Sequence, residues 1–253
     1  DKIVKRKKKK VQTMFKIFDE GLVNMRDHAE RMREKKRKQE LLKKGEKIDD
    51  DTIDLDDVFR EVKQIKVEIN PETGTIVMEN DGNGIDIIRH EKEGVYIPQM
   101  IFFELLSGTN FNDKEERTWG GRNGYGSKLI SIFSKECTIE TVDAVRHLKY
   151  RQTCRDNMSV IEAPVIEKCR TLPFTRLTFK PDLKRFGMKR LDDSDHLSLM
   201  HKRVLDIAAC TSKTISVSYS LQWVRIYGSS SSSRTAFITC RPFSIKARKN
   251  RKR

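Results

Sequence analysis

What this chain of 253 residues has little of narrows its class first. Its five cysteines (Cys137, Cys154, Cys169, Cys210, Cys240) include no C-x-x-C pair and no zinc-ligand spacing. An odd, scattered set of this kind fits a reducing, intracellular compartment better than a disulfide scaffold. Long apolar runs are missing as well. The best candidate, Val95 to Leu106, is broken by Pro98, Gln99 and Glu104 and is too short to cross a bilayer, so no membrane partner is expected. No signal peptide opens the chain and no internal repeat is present. Glycine is scarce at 13 residues, yet four of them fall in the nine positions Gly120 to Lys128.

Charge is abundant. The formal net charge is +15, with 36% hydrophobic and 35% charged residues. That excess is unevenly placed. Residues 1–10 carry seven Lys/Arg against one Asp, and residues 241–253 carry seven Lys/Arg and no acid, so the two ends supply +13 of the +15. The body is nearly neutral, and basic charge describes two tails more than a binding face. Between them the length suits one large domain or two small ones, with enough apolar residues for a core.

The glycine stretch is the feature with the most chemistry. Gly120-Gly121-Arg122-Asn123-Gly124-Tyr125-Gly126-Ser127-Lys128 runs straight into an apolar pattern (Leu129, Ile130, Ile132, Phe133) that predicts a helix. Glycines let a backbone approach a ligand closely, and successive N–H groups at a helix start favour an anion. A lysine in the first helical turn opposes the helix dipole and makes sense if an anion comes to it. The P-loop needs glycine followed by Lys and then Ser/Thr, whereas here Ser127 precedes Lys128; the dinucleotide fingerprint does not fit either. Phosphate is the expected ligand, against a flexible surface loop as the bland alternative.

Taken in order, the chain opens with a basic tail (1–10) and then a helix whose core stripe is Val11, Met14, Phe15, Phe18, Leu22, Met25, Ala29 and Met32. A second stripe, Glu20, Asn24, Asp27 and His28, lies on the opposite side. It reads either as a solvent face or as a general base with a neutral amide that ligates a hard cation such as magnesium. Residues 31–47 (+6) and 49–61 (−6) form a dipolar block, taken as an exposed charged insertion at about 33–60 that is helical at first and looser after Gly45. Gln64 to Asn70 and Thr75 to Asn80 alternate about the turn Pro71–Gly74, predicting a hairpin that ends in Asp81-Gly82-Asn83-Gly84. A carboxylate beyond a strand end, flanked by glycines, could accept from the exocyclic amino group of a ring and so favour adenine over guanine. Further on, Tyr96 to Leu106 predicts a helix with Pro98 in its first turn. Strands are expected at Cys137 to Val142, His147 to Cys154, Val160 to Ile166 and Leu177 to Lys180, then a helix over Ser194 to Cys210 with Ser194 as N-cap, and a strand over Ile215 to Ile226. Ser229 to Ser233 and the basic end are expected to be disordered.

Glu and Asn on a helix, Asp-Gly-x-Gly after a strand, and a glycine loop opening a helix occur in the order typical of GHKL ATPases. Within that group the chain resembles the N-terminal ATPase domain of the eukaryotic-type DNA topoisomerase II family (type IIA). The matching segments are Lys16-Ile17-Phe18-Asp19-Glu20 with Val23-Asn24, Leu105-Leu106-Ser107-Gly108-Thr109-Asn110, Gly120 to Lys128 (with Ser127 where the family has Ala), Gln152-Thr153 with Asp156-Asn157-Met158, and Leu177 to Leu183. Together they cover about residues 14–218 apart from the insertion, which sets the expected ATPase domain at 11–218 and a divergent, low-complexity, basic C-terminus at 219–253. The resemblance implies an α+β fold: a two-layer sandwich with a mixed, mostly antiparallel sheet and helices on one face. It implies ATP and Mg2+ as cofactors, and roles residue by residue. Glu20 would be the general base and Asn24 the magnesium ligand; Asp81 would accept from adenine; Thr109 and Asn110 would meet sugar and phosphates. Gly121, Arg122, Asn123, Gly124, Tyr125, Gly126, Ser127 and Lys128 would wrap the triphosphate, and Thr178 would order the adenine-side water. DNA, a second copy of the chain and a nuclear location (cytoplasmic for a viral enzyme) follow from the whole enzyme, whose ATP-driven dimer gate accompanies DNA strand passage. Departures are His28 for the usual Asn, Gly108 for Ser, and the insertion. No transducer lysine or DNA-cleaving module is found in the sequence, so weak or no turnover is expected. The competing readings are a non-hydrolysing nucleotide-binding dimerisation module and a nucleic-acid binder acting through the basic ends.

Overall fold

The computed structural model describes residues 11–46, 60–105, 125–223 and 234–240. Period-two alternation builds its sheet. β1 (Gln64–Asn70) and β2 (Thr75–Asp81) form the predicted hairpin, each alternating half-buried and buried residues. Asn70 Oδ1 accepts from the N–H groups of Glu72 and Thr73 (both 3.0 Å), which fixes the turn and with it the register. β3 (Ser134–Val142), β4 (Leu148–Arg155), β5 (Val160–Ile161), β6 (Val165–Lys168), β7 (Phe174–Pro181), β8 (Ser216–Trp223) and β9 (Arg234–Cys240) complete a nine-stranded sheet. Its order is β5-β4-β3-β7-β2-β1-β8-β9, with β6 also on β4. Every pairing is antiparallel except β1 with β8.

The register sorts the residues onto two faces. One carries Val67, Met78, Leu177 and Ile139 side by side, with Ile69, Ile76, Phe179 and Cys137 in the next row, all buried. The other carries a row of alternating charge: Lys66, Glu79, Arg176, Glu140 and Arg151. Its ion pairs include Lys66–Glu79 (3.1 Å) and Arg176–Glu79 (2.5 Å). The outer face thereby satisfies its own charge.

The helices cover the apolar face. α1 (Gln12–Lys43) buries Met14, Phe18, Leu22, Met25 and Ala29 of the predicted stripe together with Ile17, while Val11, Phe15 and Met32 are half-buried. Gly21 lets it approach the sheet: a Cβ there would lie 2.6 Å from Met78 Sδ. α2 (Ile97–Phe103) packs on α3 (Gly126–Ile132), and α4 (Ser194–Ala209) packs on α1 and β8. α1 and α4 are tied by an ion pair between Arg203 and Asp19, and by Val11 N–H donating to His196 Nε2 (3.0 Å).

Several boundaries differ from expectation for identifiable reasons. α1 runs on without a break from the core stripe into the block expected to be helical up to Gly45, and ends at Lys43, where Gly45 takes φ 83 and its N–H donates to Leu42 O (2.9 Å). The N-cap of α4 is Asp193, not Ser194: its Oδ1 accepts from Asp195 N (2.9 Å) and His196 N (3.1 Å), and a carboxylate suits the dipole. The single strand expected over Val160 to Ile166 is two short ones, divided at Pro164, which has no N–H to give a ladder. β9 lies between Ser229–Ser233 and the basic end, in a stretch for which the sequence predicts no element, because Arg234 to Cys240 has little contrast between its alternate positions. It pairs along β8, which itself runs across residue 218. Ser229 to Ser233 and both basic ends lie outside the described residues.

Asp143 holds the loop after β2 against the β3–β4 turn. Its Oδ2 accepts from Ile87 N and Arg146 Nη1 (both 2.9 Å), and its Oδ1 from Val145 N (2.8 Å) and Arg146 N (3.0 Å). Burial alone would push this carboxyl up, but those N–H groups and the guanidinium outweigh burial and hold it below its ordinary 3.8. The folded value is thus lower than the unfolded one, so the stabilisation is present above about pH 4 and is lost as pH falls through the folded value. Asp143→Ala is expected to cost about 2–3 kcal/mol in urea unfolding at neutral pH. The gap to wild type should narrow below pH 4; a gap independent of pH would assign the loss to packing instead.

Candidate functional site

At one end of the inner face the apolar rows give way to a polar one. Asn80, Thr175 and Thr141 are direct neighbours on β2, β7 and β3, and all three are buried. Thr141 Oγ1 donates to Phe174 O (2.9 Å), accepts from Ile85 N (2.9 Å) and lies 3.3 Å from Thr175 Oγ1. Asn80 Nδ2 donates to Asp81 O (2.7 Å), which leaves its Oδ1 as an acceptor. The turn that follows needs its glycines. Gly84 has φ 73, and a Cβ there would lie 1.9 Å from Val142 O. Gly82 has φ 110 and packs on Val62.

Two residues expected in the site are placed elsewhere by this register. Asp81 has the opposite parity to Asn80, and its Oδ1 accepts from Lys63 N (2.8 Å) and Gln64 N (2.9 Å). Its carboxylate pins the start of β1. Thr178 pairs with Val77 and Thr138, on the outer face with Arg176, with the sheet between it and the helices. The inner-face residues at this end are Asn80 and Thr175, which the sequence reading missed. The signal was available: the alternation that gives Ile76 and Met78 to the core gives Asn80 to the same side, and Leu177 and Phe179 do the same for Thr175.

One wall of the site is α1. Its polar stripe is not a solvent face: Asp27 is buried and His28 half-buried, while Asn24 is exposed. Glu20 Oε1 pairs with Lys16 Nζ (2.6 Å). One helical turn beyond Asn24, His28 turns towards Gly82, its Nε2 3.8 Å from where a Gly82 Cβ would be. Burial, with Arg31 and Lys35 nearby, pushes the imidazole down to about 4, so it is neutral at pH 7. Among the described residues, His28 Nε2 and Arg31 Nε are both buried without a hydrogen-bond partner. Buried nitrogens of this kind are expensive unless a ligand or water completes them.

The other wall is the start of α3. Gly126, its first residue, lies on the Glu20 carboxylate: a Cβ would be 2.1 Å from Oε2. Tyr125, the N-cap, is exposed. Ser127 Oγ donates to Ile101 O (2.6 Å), so its hydroxyl serves the α2–α3 contact and only its backbone faces a ligand. Lys128 is 2% exposed, and burial pushes its ammonium down from 10.5 to about 8. Thr109, Asn110, Gly121, Arg122, Asn123 and Gly124 lie outside the described residues. Among the described residues no group of three or more His, Cys, Asp or Glu could hold a metal ion. An exposed amide beside Glu20 fits a cation that brings most of its ligands with it, as magnesium does on a triphosphate.

Comparison with known proteins adds to this geometry. No family model matches the chain. It is 40% identical to DNA topoisomerase 2 of Pisum sativum over 218 residues, 86% of this chain and 13% of that protein. Among solved structures, the ATPase region of Saccharomyces cerevisiae topoisomerase II superposes with a TM-score of 0.67 at 42% identity, over 82% of this chain and 47% of that one. The ATPase and transducer domains of DNA topoisomerase II from Balamuthia mandrillaris give 0.70 at 39% identity, over 86% and 49%. The chain thus spans about half of these solved chains and about an eighth of the plant protein. The α+β sandwich with helices on one face is the GHKL architecture that those structures share. On fold, site layout and identity together, the chain belongs to the DNA topoisomerase II family, in the part that corresponds to its ATPase region.

Proposed function

We propose that the groove between α1, the start of α3 and the Asn80–Gly84 turn binds ATP and hydrolyses it. The observation that carries this proposal is the contact of Gly126 with Glu20, which puts a helix start rich in N–H groups directly beside a carboxylate. In phosphoryl transfer the protein contributes mainly position and charge. Glu20 would take the proton of the attacking water. Lys128 and the backbone of Tyr125, Gly126 and Ser127 would receive the triphosphate, with Gly121 to Gly124 continuing that cradle. Thr109 and Asn110 would meet sugar and phosphates. Asn80 Oδ1 would accept from the exocyclic amino group of adenine, with the Thr175 and Thr141 hydroxyls beside it; a guanine presents a carbonyl there and would be repelled. Asp81 would support the pocket from behind by fixing β1. Asn24 would hold Mg2+, whose contribution when bound is to neutralise charge on the phosphates.

The wider roles are proposals of the same kind. In a whole enzyme of this family, nucleotide binding would join two copies of the domain and close a gate on DNA, in the nucleus or, for a viral enzyme, in the cytoplasm. The charged block 33–60 and residues after 218 would be additions to the ATPase domain. The outer sheet face, being charge-balanced, offers DNA little; a basic segment would have to do so.

Three outcomes test the proposal by titration with a non-hydrolysable ATP analogue and magnesium, and by steady-state hydrolysis. Asn80→Ala should weaken analogue binding roughly 10- to 100-fold with little change in stability, whereas Asp81→Ala should lower the unfolding midpoint first. The reverse pattern would restore Asp81 as the adenine contact. Glu20→Gln should keep its affinity while hydrolysis falls at least about 100-fold; unchanged hydrolysis would remove Glu20 from the chemistry, and absent hydrolysis in wild type with intact binding would favour the nucleotide-binding dimerisation module. For Lys128, the folded value near 8 lies below the unfolded 10.5, so stability should rise as pH climbs between them, while the unfolded chain keeps its proton. A bound triphosphate reverses this, so calorimetry at pH 8 in two buffers should show uptake of ~0.5 proton per nucleotide, absent in Lys128→Met. Equal uptake in both would place the titrating group elsewhere.

A further inference from the structure

The turn between β4 and β5 holds three consecutive residues, none of them glycine, in the left-handed region: Asp156 (φ 49), Asn157 (φ 60) and Met158 (φ 66). L-residues resist that conformation, and a run of three persists only where its surroundings hold it. Here the restraint comes from the far end of α3. Asn157 Nδ2 donates to the carbonyl of Ile132, the last residue of that helix (3.0 Å), and Asn157 N donates to Ser134 O (3.0 Å). Asn157 Oδ1 accepts from Lys135 Nζ (3.3 Å), and Asp156 N donates to Lys135 O (2.9 Å). Ser159 Oγ donates back to Asp156 O (2.7 Å), and Met158 packs against the core. Glycines would take the same backbone without strain, so what the side chains add is the link to α3.

That link matters because α3 is short. Seven residues make a rod about 10 Å long, so its two ends lie close together. Three carbonyls at its end are engaged: Ile130 O by Ser134 Oγ (2.6 Å), Ile132 O by Asn157, and Phe133 O by Asp182 N (2.8 Å). At its other end Gly126 meets Glu20 with no room for a methyl group. The end that Asn157 anchors and the contact with Glu20 are thus one short helix apart.

We propose that Asn157 is a positioning residue for the nucleotide site: it fixes the axial position of α3 and, through it, the seat of Gly126 against Glu20. It touches neither nucleotide nor Glu20. The proposal rests on the assignment of Glu20 and α3 to that site. Of the side chains that anchor this end of α3, Asn157 alone sits in a strained backbone, so it can be replaced with the backbone relaxed.

The test uses Asn157→Gly, which relieves the strain and removes the amide, and Asn157→Asp, which keeps the size and the Lys135 contact but loses the donor. Two readouts are taken from each folded variant: amide hydrogen exchange along residues 126–135, and kcat and KM for ATP hydrolysis. Faster exchange reaching Leu129 and Ile130, with kcat down roughly 10- to 100-fold at near-constant KM, is the expected result. Should Asn157→Asp fail to fold, Asn157→Gly decides alone. Exchange altered only at residues 155–159, or a kcat equal to wild type, overturns the proposal. A wild type that does not hydrolyse ATP would sink the assignment of the site instead; the exchange pattern would then still decide whether Asn157 holds α3.

Discussion

A carboxylate packed on a glycine backbone is the contact on which the rest of the site depends. Glu20 sits on α1 and Gly126 begins α3, and the space between them has no room for a single methyl group. Under the proposed function a helix start that close would serve two ends at once: its backbone N–H groups would meet the incoming anion, and Glu20 would act as base beside the same position. The contact marks where α1 and α3 come closest at the start of α3. Much of the nearby structure can be understood as holding that approach. Gly21 brings α1 down on Met78, Ser127 and Ser131 tie α3 to the carbonyls of Ile101 and Phe102, and Asn157 takes the far end.

The sheet divides its labour by parity. The outer face neutralises its own charges in a cross-strand row, which leaves the inner face free to be apolar along most of its length, with Asn80, Thr175 and Thr141 as a polar row at one end. Those three buried polar groups are arranged around the glycine turn, where Gly84 admits the Val142 carbonyl and Asp143 secures the loop beyond it. The groove accordingly has a hydrogen-bonding floor and a carboxylate wall. His28 beside the turn, and Arg31 near it on α1, add two buried nitrogens without a partner among the described residues.

Much of this was legible in the sequence because the signals were periodic. The α1 stripe, the hairpin about Pro71–Gly74 and the α4 spacing each repeat their pattern several times, and burial follows the pattern. What sequence reasoning misplaced was local and aperiodic. Asp81 looked like the adenine contact because a carboxylate before glycine is conspicuous, yet strand parity hands the inner face to Asn80. Thr178 has the parity of the outer face, and Thr175 lies before the point where the predicted strand began. Ser194 lost the cap to Asp193 because the stronger acceptor one residue earlier reaches two N–H groups. β9 was invisible because its pairing with β8 is a long-range fact, set by a neighbour and not by its own weak alternation. The neutral state of His28 is likewise a product of burial and nearby cations, which no local pattern shows.

The most direct test of the central claim is a crystal structure of this chain with magnesium and a non-hydrolysable ATP analogue, read for one distance: the terminal phosphate to the Glu20–Gly126 contact. The account predicts that phosphate within hydrogen-bond reach of the Gly126 or Ser127 N–H, roughly 3 Å, with one water between it and Glu20. A nucleotide bound with its terminal phosphate on the far side of α3, or with its base where the phosphates should lie, would contradict it.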